Sequence, residues 1–314
     1  MRRVVVVVGK GGVGKSVVAG GLGVLAASRG RRTCIAEVNG SETMSALFDT
    51  DPVGYEGAPL AEGLRGVSIT AQRSVEEYLV RTLRFRLLYE LVFRNRYIEP
   101  FMNGVLGLSD LMTIGKVLDL EWERSSGAHG PDGSGPYRYD LVVVDAPATG
   151  HGISLLRAPQ AMMDVTRAGP LHSNARLIRD LLADRSRTAV LAVTLAEELP
   201  VSETIELVAR LRRHVDTEIR AVVVNGVPPP VFPDAEASSR WPELRESSIQ
   251  AGGHAAAAAR DAERALRDRA RAEKQMRRLR DALDLPLVEV PLLPERDLSA
   301  HSLATVGRAL EKLA

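Results

Sequence analysis

The feature that most constrains the fold is a glycine-rich segment that directly follows a run of five valines. Residues 4–8 are β-branched throughout and predict a short buried strand. Residues 9–16, GKGGVGKS, then supply four glycines, which tolerate backbone conformations that other residues avoid. Residues 16–29 predict a helix. Strand, glycine loop and helix in this order are typical of the first βα unit of a parallel α/β sheet.

Further short apolar runs predict six more strands. Several are continuous rather than alternating, as expected for strands that are buried on both faces of a parallel sheet. Helical segments such as 202–214 and 255–283 separate them. The sequence therefore predicts an α/β fold with a doubly wound, mostly parallel sheet. The six runs span residues 33–38, 67–70, 139–145, 188–194, 219–225 and 287–290.

Three stretches interrupt this alternation within what we expect to be a single domain, residues 1–314. Residues 74–122 lack strand patterns and carry apolar side chains at helical spacing, which predicts a helical insertion. Residues 125–136 and 228–253 are rich in Gly, Ser, Pro or Ala and predict flexible loops. The helix at 255–283 carries charges on most faces, which favours a solvated surface helix.

The composition excludes several classes of function. The net charge is +1 and aromatic residues make up 4%, so neither charge nor stacking favours nucleic acid as a partner. Cys34 is the only cysteine, which rules out an intrachain disulfide, and its apolar neighbours favour a buried thiol. No apolar stretch approaches the roughly 20 residues that a membrane span needs. We expect a cytoplasmic protein with at most peripheral contact to a membrane.

The glycine loop satisfies the complete phosphate-binding pattern G-x-x-x-x-G-K-[ST]. In such a P-loop, successive backbone N–H groups point at phosphate oxygens, and the next helix adds its dipole. Lys15 is expected to bridge the β- and γ-phosphates and Ser16 to ligate Mg²⁺. The alternative is a plain glycine turn. The residues predicted to bind the nucleotide are Gly11, Gly12, Val13, Gly14, Lys15, Ser16 and Val17.

A candidate for the other half of the site ends the strand predicted at 139–145. Asp145 closes this apolar run, and the turn APATG follows it. Because the carboxyl ends of strands in a doubly wound sheet face the ligand crevice, we expect Asp145 to lie beside the glycine loop. Its carboxylate is the candidate for the Mg²⁺ shell, through water. The alternative is a strand-end Asp that caps the turn.

Lys10 is one of five lysines in a chain that otherwise prefers arginine. Its position resembles the variant loop KGGVGK[ST] of a group of dimeric ATPases. The resemblance implies that Lys10 reaches across a dimer interface to the nucleotide of the facing subunit. A cation delivered there would neutralise charge that develops on the transferred phosphoryl group. The alternative is a solvated surface lysine.

Four later segments occur in the order found in the arsenite-pump and tail-anchored-protein-targeting ATPases. DAPATGHGISLLRAP resembles the switch II segment of that family, and VTLAEELPVSETIELV, AVVVNGVPP and VEVPLLPERDL resemble segments further along. The resemblance spans essentially the whole chain. It implies a P-loop NTPase fold, ATP and Mg²⁺ as cofactors, and a dimer that opens and closes with the nucleotide.

The same resemblance implies roles for residues outside the glycine loop. Gly150 would sense the γ-phosphate, and Asn225 would hydrogen-bond adenine. The segment from Pro291 through Leu292 to Leu293 would line the base. His151 matches the histidine of switch II, with a polar loop residue as the alternative.

Switch I departs from the family pattern at Asn39. Counted back from Phe48, Asn39 occupies the position of the aspartate that orients the attacking water in the family. An amide positions water but does not accept its proton as a carboxylate does. Glu37 and Glu42 lie nearby in the sequence and could substitute. We therefore predict slow intrinsic hydrolysis, or pairing with a paralogous subunit that keeps the aspartate.

The resemblance implies a nucleotide-driven dimeric switch that handles hydrophobic membrane-protein clients, either as a homodimer or with a paralog. The alternative for the apolar residues of the insertion is packing within the chain. A weakly hydrolysing regulatory or scaffold subunit is the alternative. A chromosome- or septum-positioning ATPase fits the helical insertion poorly. Cys34 alone supplies neither the zinc pair nor the metalloid cysteines of the family, so we expect no structural zinc and no arsenite chemistry. Apolar spacing over 305–313 favours a packing helix over a membrane-binding tail.

Overall fold

The strands described by the computed structural model form one eight-stranded sheet in the order β3-β4-β2-β5-β1-β6-β7-β8. The described residues are 2–38, 40, 42–83, 107–127, 130, 133–294 and 298–313. In chain order, the strands are β1 (Val4–Gly9), β2 (Thr33–Val38), β3 (Ala58–Ala61), β4 (Leu64–Ile69), β5 (Leu141–Asp145), β6 (Thr188–Leu195), β7 (Ile219–Val227) and β8 (Leu287–Pro291).

The helices of the described residues are numbered in the same way. They are α1 (Lys15–Ser28), α2 (Thr43–Phe48), α3 (Ala71–Leu83), α4 (Leu108–Trp122), α5 (Thr149–Val165), α6 (Pro170–Ala183), α7 (Glu198–His214), α8 (Ala235–Ser239), α9 (Trp241–Ala251), α10 (Gly253–Ala282) and α11 (Ala300–Ala309). A short 3-10 turn, Leu310–Leu313, follows α11. None of the helices in the described ranges is long and apolar enough to cross a bilayer.

The sheet is parallel throughout except at one edge, where β3 runs antiparallel to β4. Strand β1 lies between β5 and β6, and β2 lies on the far side of β5. The predicted doubly wound, mostly parallel α/β fold is therefore confirmed. Because parallel strands end at the same edge, the carboxyl ends of β1, β2 and β5 lie side by side beneath the glycine loop.

Successive residues of the central strands pack against two different helical layers, because side chains alternate between the faces of a strand. Val7 and Ile35 belong to the apolar cluster under α1, α2 and α11. Val6 and Cys34 belong to the cluster under α4 to α7 and α10. Cys34 is fully buried, as predicted, and burial above all raises the pKa of its thiol to about 12. Cys34 is therefore a residue of the hydrophobic core.

Helices α1 and α11 cross closely because two glycines meet at the crossing. A Cβ atom at Gly21 would lie 2.5 Å from Cγ1 of Val306, and one at Gly307 would lie 2.9 Å from the carbonyl oxygen of Gly21. Val306 and Leu310 are fully buried. The predicted packing helix at the C-terminal end is thus confirmed, and it covers the helix that carries the glycine loop.

Two regions differ from the prediction. Strand β3 was not predicted because it has four residues, includes Pro59 and lies at the sheet edge, where its burial pattern carries little signal.

Residues 228–253, predicted as a flexible loop, instead contain α8 and α9. The carboxylate of Asp234 accepts a hydrogen bond from the N–H of Ala237 and caps α8, and the ring of Phe232 lies 5.4 Å from that of Trp241. Polar composition hid these local helix signals.

The predicted helical insertion at 74–122 is described only at its two ends. Helix α3 forms its N-terminal end and helix α4 its C-terminal end, while residues 84–106 lie outside the described residues. The apolar side chains of α4, including Leu111, Ile114 and Leu118, are buried in the core of this same chain. The insertion therefore stays a prediction between its ends.

Candidate functional site

The first turn of α1 follows two glycines in the left-handed region. Gly12 has φ 82° and Gly14 has φ 85°, which only glycine adopts readily. Among the described residues, no side chain caps the N-terminus of α1, and no acidic residue lies in its first turn. The N–H groups of Lys15, Ser16 and Val17 therefore stay available at the positive end of the helix dipole. Such an end favours an anion.

The rest of the loop is held by a hydrogen bond from β7. Val13 is buried, and its carbonyl oxygen accepts a hydrogen bond from Nδ2 of Asn225 at 3.0 Å. A Cβ atom at Gly14 would lie 2.1 Å from the same Nδ2, so a larger residue would displace Asn225. A Cβ atom at Gly11 would lie 3.9 Å from Cβ of Ala148. Asn225 thus ties the loop to β7, whereas the space beside Gly11 would admit a Cβ atom.

Lys15 lies folded over the loop. Its ammonium donates a hydrogen bond to the carbonyl oxygen of Lys10 at 3.0 Å. Burial lowers the pKa of Lys15 from its ordinary value, and the nearby Asp145 carboxylate partly opposes that shift. A single neutral carbonyl is a weak partner for a partly desolvated cation, so an anionic phosphate would be a better one.

Ser16 and Asp145 meet across 129 positions of sequence. The Ser16 hydroxyl donates to Oδ2 of Asp145 at 2.5 Å, and Asp145 is only 6% exposed. Its second oxygen, Oδ1, is buried and has no hydrogen-bond partner among the described residues. Burial raises the pKa of Asp145 to about 6, and Glu37 adds to the shift, while Ser16 and Lys15 oppose it. The carboxylate is strongly desolvated and only partly compensated.

Glu37 is the second carboxylate at this edge of the sheet. It stands in direct register with Asp145 on the neighbouring strand, and it is 1% exposed. Its Oε1 accepts a hydrogen bond from the N–H of Thr43 at 2.7 Å, which ties the end of β2 to the start of α2. In the sequence, a single acidic residue inside an otherwise apolar strand was the signal for this position.

Glu42 does not share this arrangement. Its Oε2 accepts hydrogen bonds from the Ser45 hydroxyl at 2.9 Å and from the N–H of Val53 at 3.1 Å. Glu42 also has a positive φ of 50°, an unusual conformation for a residue with a side chain. Of the two glutamates considered as substitutes for the missing aspartate, only Glu37 lies in register with Asp145.

The oxygens of Ser16 and Asp145 fit a magnesium ion. Hydroxyl and carboxylate oxygens are the hard ligands that Mg²⁺ prefers, and it commonly keeps several waters. The buried Oδ1 of Asp145 lacks a partner among the described residues, which is the kind of orphaned acceptor that a hydrated cation would satisfy. Among the described residues, no group of three or more His, Cys, Asp and Glu could hold a metal. The remaining ligands would come from nucleotide and water.

Lys10 points away from the loop in the single chain. Its ammonium lies 2.7 Å from Oε1 of Glu203 on α7, and its side chain is 51% exposed. An exposed pair of this kind contributes about 1 kcal/mol or less. The contact with Glu203 could not have been read from the sequence, because 193 positions separate the residues.

The residues predicted to contact the base lie at the ends of β7 and β8. The amide nitrogen of Asn225 is engaged by the loop through Val13. Pro291 ends β8, and the N–H of Leu292 donates to the carbonyl oxygen of Val227 at 2.8 Å. The Leu292 side chain is 57% exposed. Asn225 thus contacts the loop, and the adenine contacts remain predictions.

Gly150 and His151 lie in the first turn of α5 and are exposed. A Cβ atom at Gly150 would meet no other atom within 4 Å. Burial raises the pKa of Asp110 on α4, and the nearby His151 partly opposes that shift. Asn39, the candidate for orienting the attacking water, lies outside the described residues.

The sequence of this chain is similar to those of known ATPases. A family model described as anion-transporting ATPase matches residues 2–169, more than half of the chain. ATPase BagA of Mycobacterium tuberculosis is 29% identical over 310 residues, which cover 93% of this chain and 88% of that protein. ATPase ASNA1 homolog 1 of Paramecium tetraurelia is 22% identical over 266 residues, which cover 72% of this chain and 74% of that protein.

A third relative comes from Halobacterium salinarum and is provisionally named an arsenical pump-driving ATPase. It is 26% identical over 237 residues, which cover 72% of this chain and 36% of that protein. The resemblance seen in the motifs is therefore confirmed at the level of the family. The chain belongs to the anion-transporting ATPase family.

Proposed function

We propose that the chain binds ATP with Mg²⁺ at the glycine loop and hydrolyses it. The observation that carries the proposal is the 2.5 Å contact between Ser16 Oγ and Asp145 Oδ2, beside the uncapped N-terminus of α1. A hydroxyl and a desolvated carboxylate meet there at the positive end of a helix. This combination supports a site for a metal–phosphate complex.

Each residue would act by binding and orientation. The N–H groups of residues 11–17 would hold phosphate oxygens, and Lys15 would leave the Lys10 carbonyl for the γ-phosphate. The pKa of Asp145 is raised only to about 6, so its carboxylate is mostly ionised at neutral pH. When bound, Mg²⁺ supplies neutralisation of the phosphate charge. Asn39 would position the attacking water.

We also propose that Lys10 serves the nucleotide of a facing subunit, so that the working form is a dimer. In the single chain, its ammonium pairs with Glu203 rather than with its own loop. That pair is exposed and therefore weak, so a partner's phosphates would displace it at little cost. A lysine that is directed outward from the loop supports delivery to another subunit.

Complementation between two inactive variants tests both parts of this proposal. Lys10→Ala and Lys15→Ala are purified separately, and phosphate release is measured alone and after mixing. Each variant alone should be inactive. In a mixed dimer, the site with an intact Lys15 receives Lys10 from its partner, so random pairing restores about a quarter of the wild-type rate.

The outcomes separate the two claims. Inactive single variants without recovery on mixing would leave ATP hydrolysis in place and contradict the trans role of Lys10. Full activity of Lys15→Ala would contradict the site itself. Sedimentation velocity with ATP and Mg²⁺ is the control that shows whether each variant still dimerises.

We further propose that the substrate moved by this switch is a hydrophobic membrane-protein client rather than a metalloid. One relative is named for an arsenical pump, but the only cysteine of this chain, Cys34, is buried with a thiol pKa raised to about 12. Such a thiol is neither exposed nor ionised, as metalloid binding requires. Co-purification from lysate with ATP, ADP or no nucleotide tests this proposal. Recovery of no membrane-protein segment in any state would contradict it.

A second candidate function is a regulatory subunit that binds ATP but turns over slowly. Asn39, in place of the family's aspartate, favours it. Phosphate release by the purified chain, with and without a co-expressed paralog, distinguishes the candidates. Brisk release by the chain alone would contradict the regulatory role, and release only with the paralog would support it.

A further inference from the structure

One face of the long helix α10 carries an uninterrupted row of cations. At about 100° per residue, the six side chains lie within roughly 40° of a common line and extend over about 27 Å. All six are exposed. We call them the basic stripe: Arg260, Arg264, Arg267, Arg271, Lys274 and Arg278.

The charge of the chain is concentrated on this helix. Helix α10 contains nine Arg and Lys against five Asp and Glu, a net charge of +4, whereas the whole chain has +1. Its inward side is apolar, with Ala272, Met276 and Leu279 buried against the body of the protein. Packing therefore fixes the helix so that the basic stripe faces solvent. The sequence prediction of charges on most faces missed this segregation.

Half of the basic stripe is held only by weak pairs within the helix. Arg264 pairs with Asp261 at 3.2 Å, and the two side chains are 70% and 73% exposed. Arg267 and Arg271 form pairs at 3.8 Å and 3.6 Å, again with more than half of each arginine exposed. Exposed pairs contribute little and exchange readily for a denser set of anions.

The other half of the stripe has no such neighbour. Arg260, Lys274 and Arg278 form no ion pair with any carboxylate in the described ranges of the chain. The stripe is also free of large apolar side chains, since small or polar residues such as Ala257 and Gln275 lie beside the cations. Protein interfaces usually depend on buried aromatic or apolar anchors, which this face does not offer.

We propose that the basic stripe docks the chain on an anionic phospholipid surface. Acidic residues flank the stripe, with Asp261 and Asp268 on one side and Glu263 on the other. A helix inside a nucleic-acid groove would press these flanks against phosphates on both walls. On a flat surface only the stripe makes contact, and each exposed cation near an anionic membrane contributes to binding without needing a fixed register. This inference is independent of the nucleotide site.

Vesicle co-sedimentation of the full chain tests the proposal. The stripe variant is Arg260→Gln, Lys274→Gln and Arg278→Gln, and the control variant is Arg212→Gln, Arg213→Gln and Arg277→Gln. Both variants remove three exposed positive charges. Vesicles of phosphatidylcholine with about 30% phosphatidylserine are compared with pure phosphatidylcholine at about 50 mM salt.

The wild type should bind the phosphatidylserine vesicles and not the neutral ones. The stripe variant should bind at least about tenfold more weakly, while the control variant stays within about twofold. Equal loss in both variants, equal binding to neutral vesicles, or no binding to either would overturn the proposal. Tighter binding to a short DNA duplex than to the vesicles, lost in the stripe variant, would also overturn it and assign the stripe to nucleic acid. Circular dichroism confirms that both variants fold.

Discussion

Two buried carboxylates lie at opposite ends of the central strands, one at the amino ends and one at the carboxyl ends. They differ in how many hydrogen-bond donors surround them. Glu121, near the end of α4, is 1% exposed, and both of its oxygens are bound: one by Nε of Arg3 at 2.6 Å and one by Nη2 of Arg187 at 2.7 Å. These arginines directly precede β1 and β6. Asp145 ends β5 at the carboxyl edge, where Ser16 binds one oxygen and no described residue binds the other.

This difference in compensation distinguishes a carboxylate that stabilises the fold from one that is placed to bind a ligand. Two guanidinium groups compensate the desolvation of Glu121, so its carboxylate ties α4 to the sheet. The desolvation of Asp145 is compensated by a hydroxyl and a more distant ammonium, and its pKa is raised to about 6. A carboxylate left in this state is typical of a site that a ligand completes.

Asp145→Asn should have the largest effect on activity. The amide keeps the size of the side chain but loses the charge that would hold the metal, so hydrolysis should fall about 1,000-fold, or about 4 kcal/mol of transition-state stabilisation. Single-turnover phosphate release measures this. A variant that keeps more than about a tenth of the wild-type rate would place the metal elsewhere.

Glu121→Gln should have the largest effect on stability. It leaves Arg3 and Arg187 without their shared anion, which should lower the free energy of unfolding by about 3 to 4 kcal/mol with ATP affinity unchanged. Urea denaturation and ATP titration measure the two quantities. The matched control is Asp261→Asn, whose partner Arg264 is 70% exposed and which should cost less than about 1 kcal/mol. Equal losses in both variants would remove the contrast.

The free energy of unfolding should change with pH because Asp145 titrates at a different pH in the folded and unfolded states. The pKa of Asp145 in the folded state lies above its ordinary value of 3.8, so protonation of this carboxylate stabilises the fold. That stabilisation is fully present below about pH 4 and is lost as pH rises through about 6. At about 1.36 kcal/mol per unit, the loss is about 3 kcal/mol at most.

Asp145→Asn cannot ionise and should escape that loss. The ligand-free variant should therefore gain stability relative to wild type as pH rises, even though it is inactive. Urea unfolding of both proteins across this pH range checks the sign. A difference that stays flat with pH would show that Asp145 is not desolvated as described.

Glu37→Gln should have the smallest of these effects. Removing the neighbouring negative charge should lower the pKa of Asp145 slightly, because Glu37 contributes least among the groups that shift it. The readout is the midpoint of the pH-dependent stability difference. Glu42→Gln is the control, because its carboxylate is engaged by Ser45 and Val53 and should leave that midpoint in place.

The sequence predicted those parts of the molecule that local chemistry specifies. Continuous valine runs identify strands buried on both faces, and the glycine loop identifies its own helix terminus. Asp145 was found because a strand end has a known direction in a parallel sheet. Each of these signals lies within a short segment.

What sequence reasoning missed depends on contacts between distant segments. The pairing of Lys10 with Glu203, the compensation of Glu121 by two arginines and the register of Glu37 with Asp145 all follow from the sheet order. Edge strand β3 and helices α8 and α9 were missed because their composition resembles that of loops. Tertiary context decides such segments.

The account rests on the claim that Ser16 and Asp145 form half of a magnesium–nucleotide site, and calorimetry tests it most directly. ATP is titrated into the wild-type chain and into Asp145→Asn, each with and without Mg²⁺ at about pH 7.5, where the Asp145 carboxylate is ionised. The account predicts that Mg²⁺ strengthens ATP binding at least about tenfold in the wild type and hardly at all in the variant. Equal ATP affinity with and without Mg²⁺ in the wild type, or the same enhancement in both proteins, would contradict it.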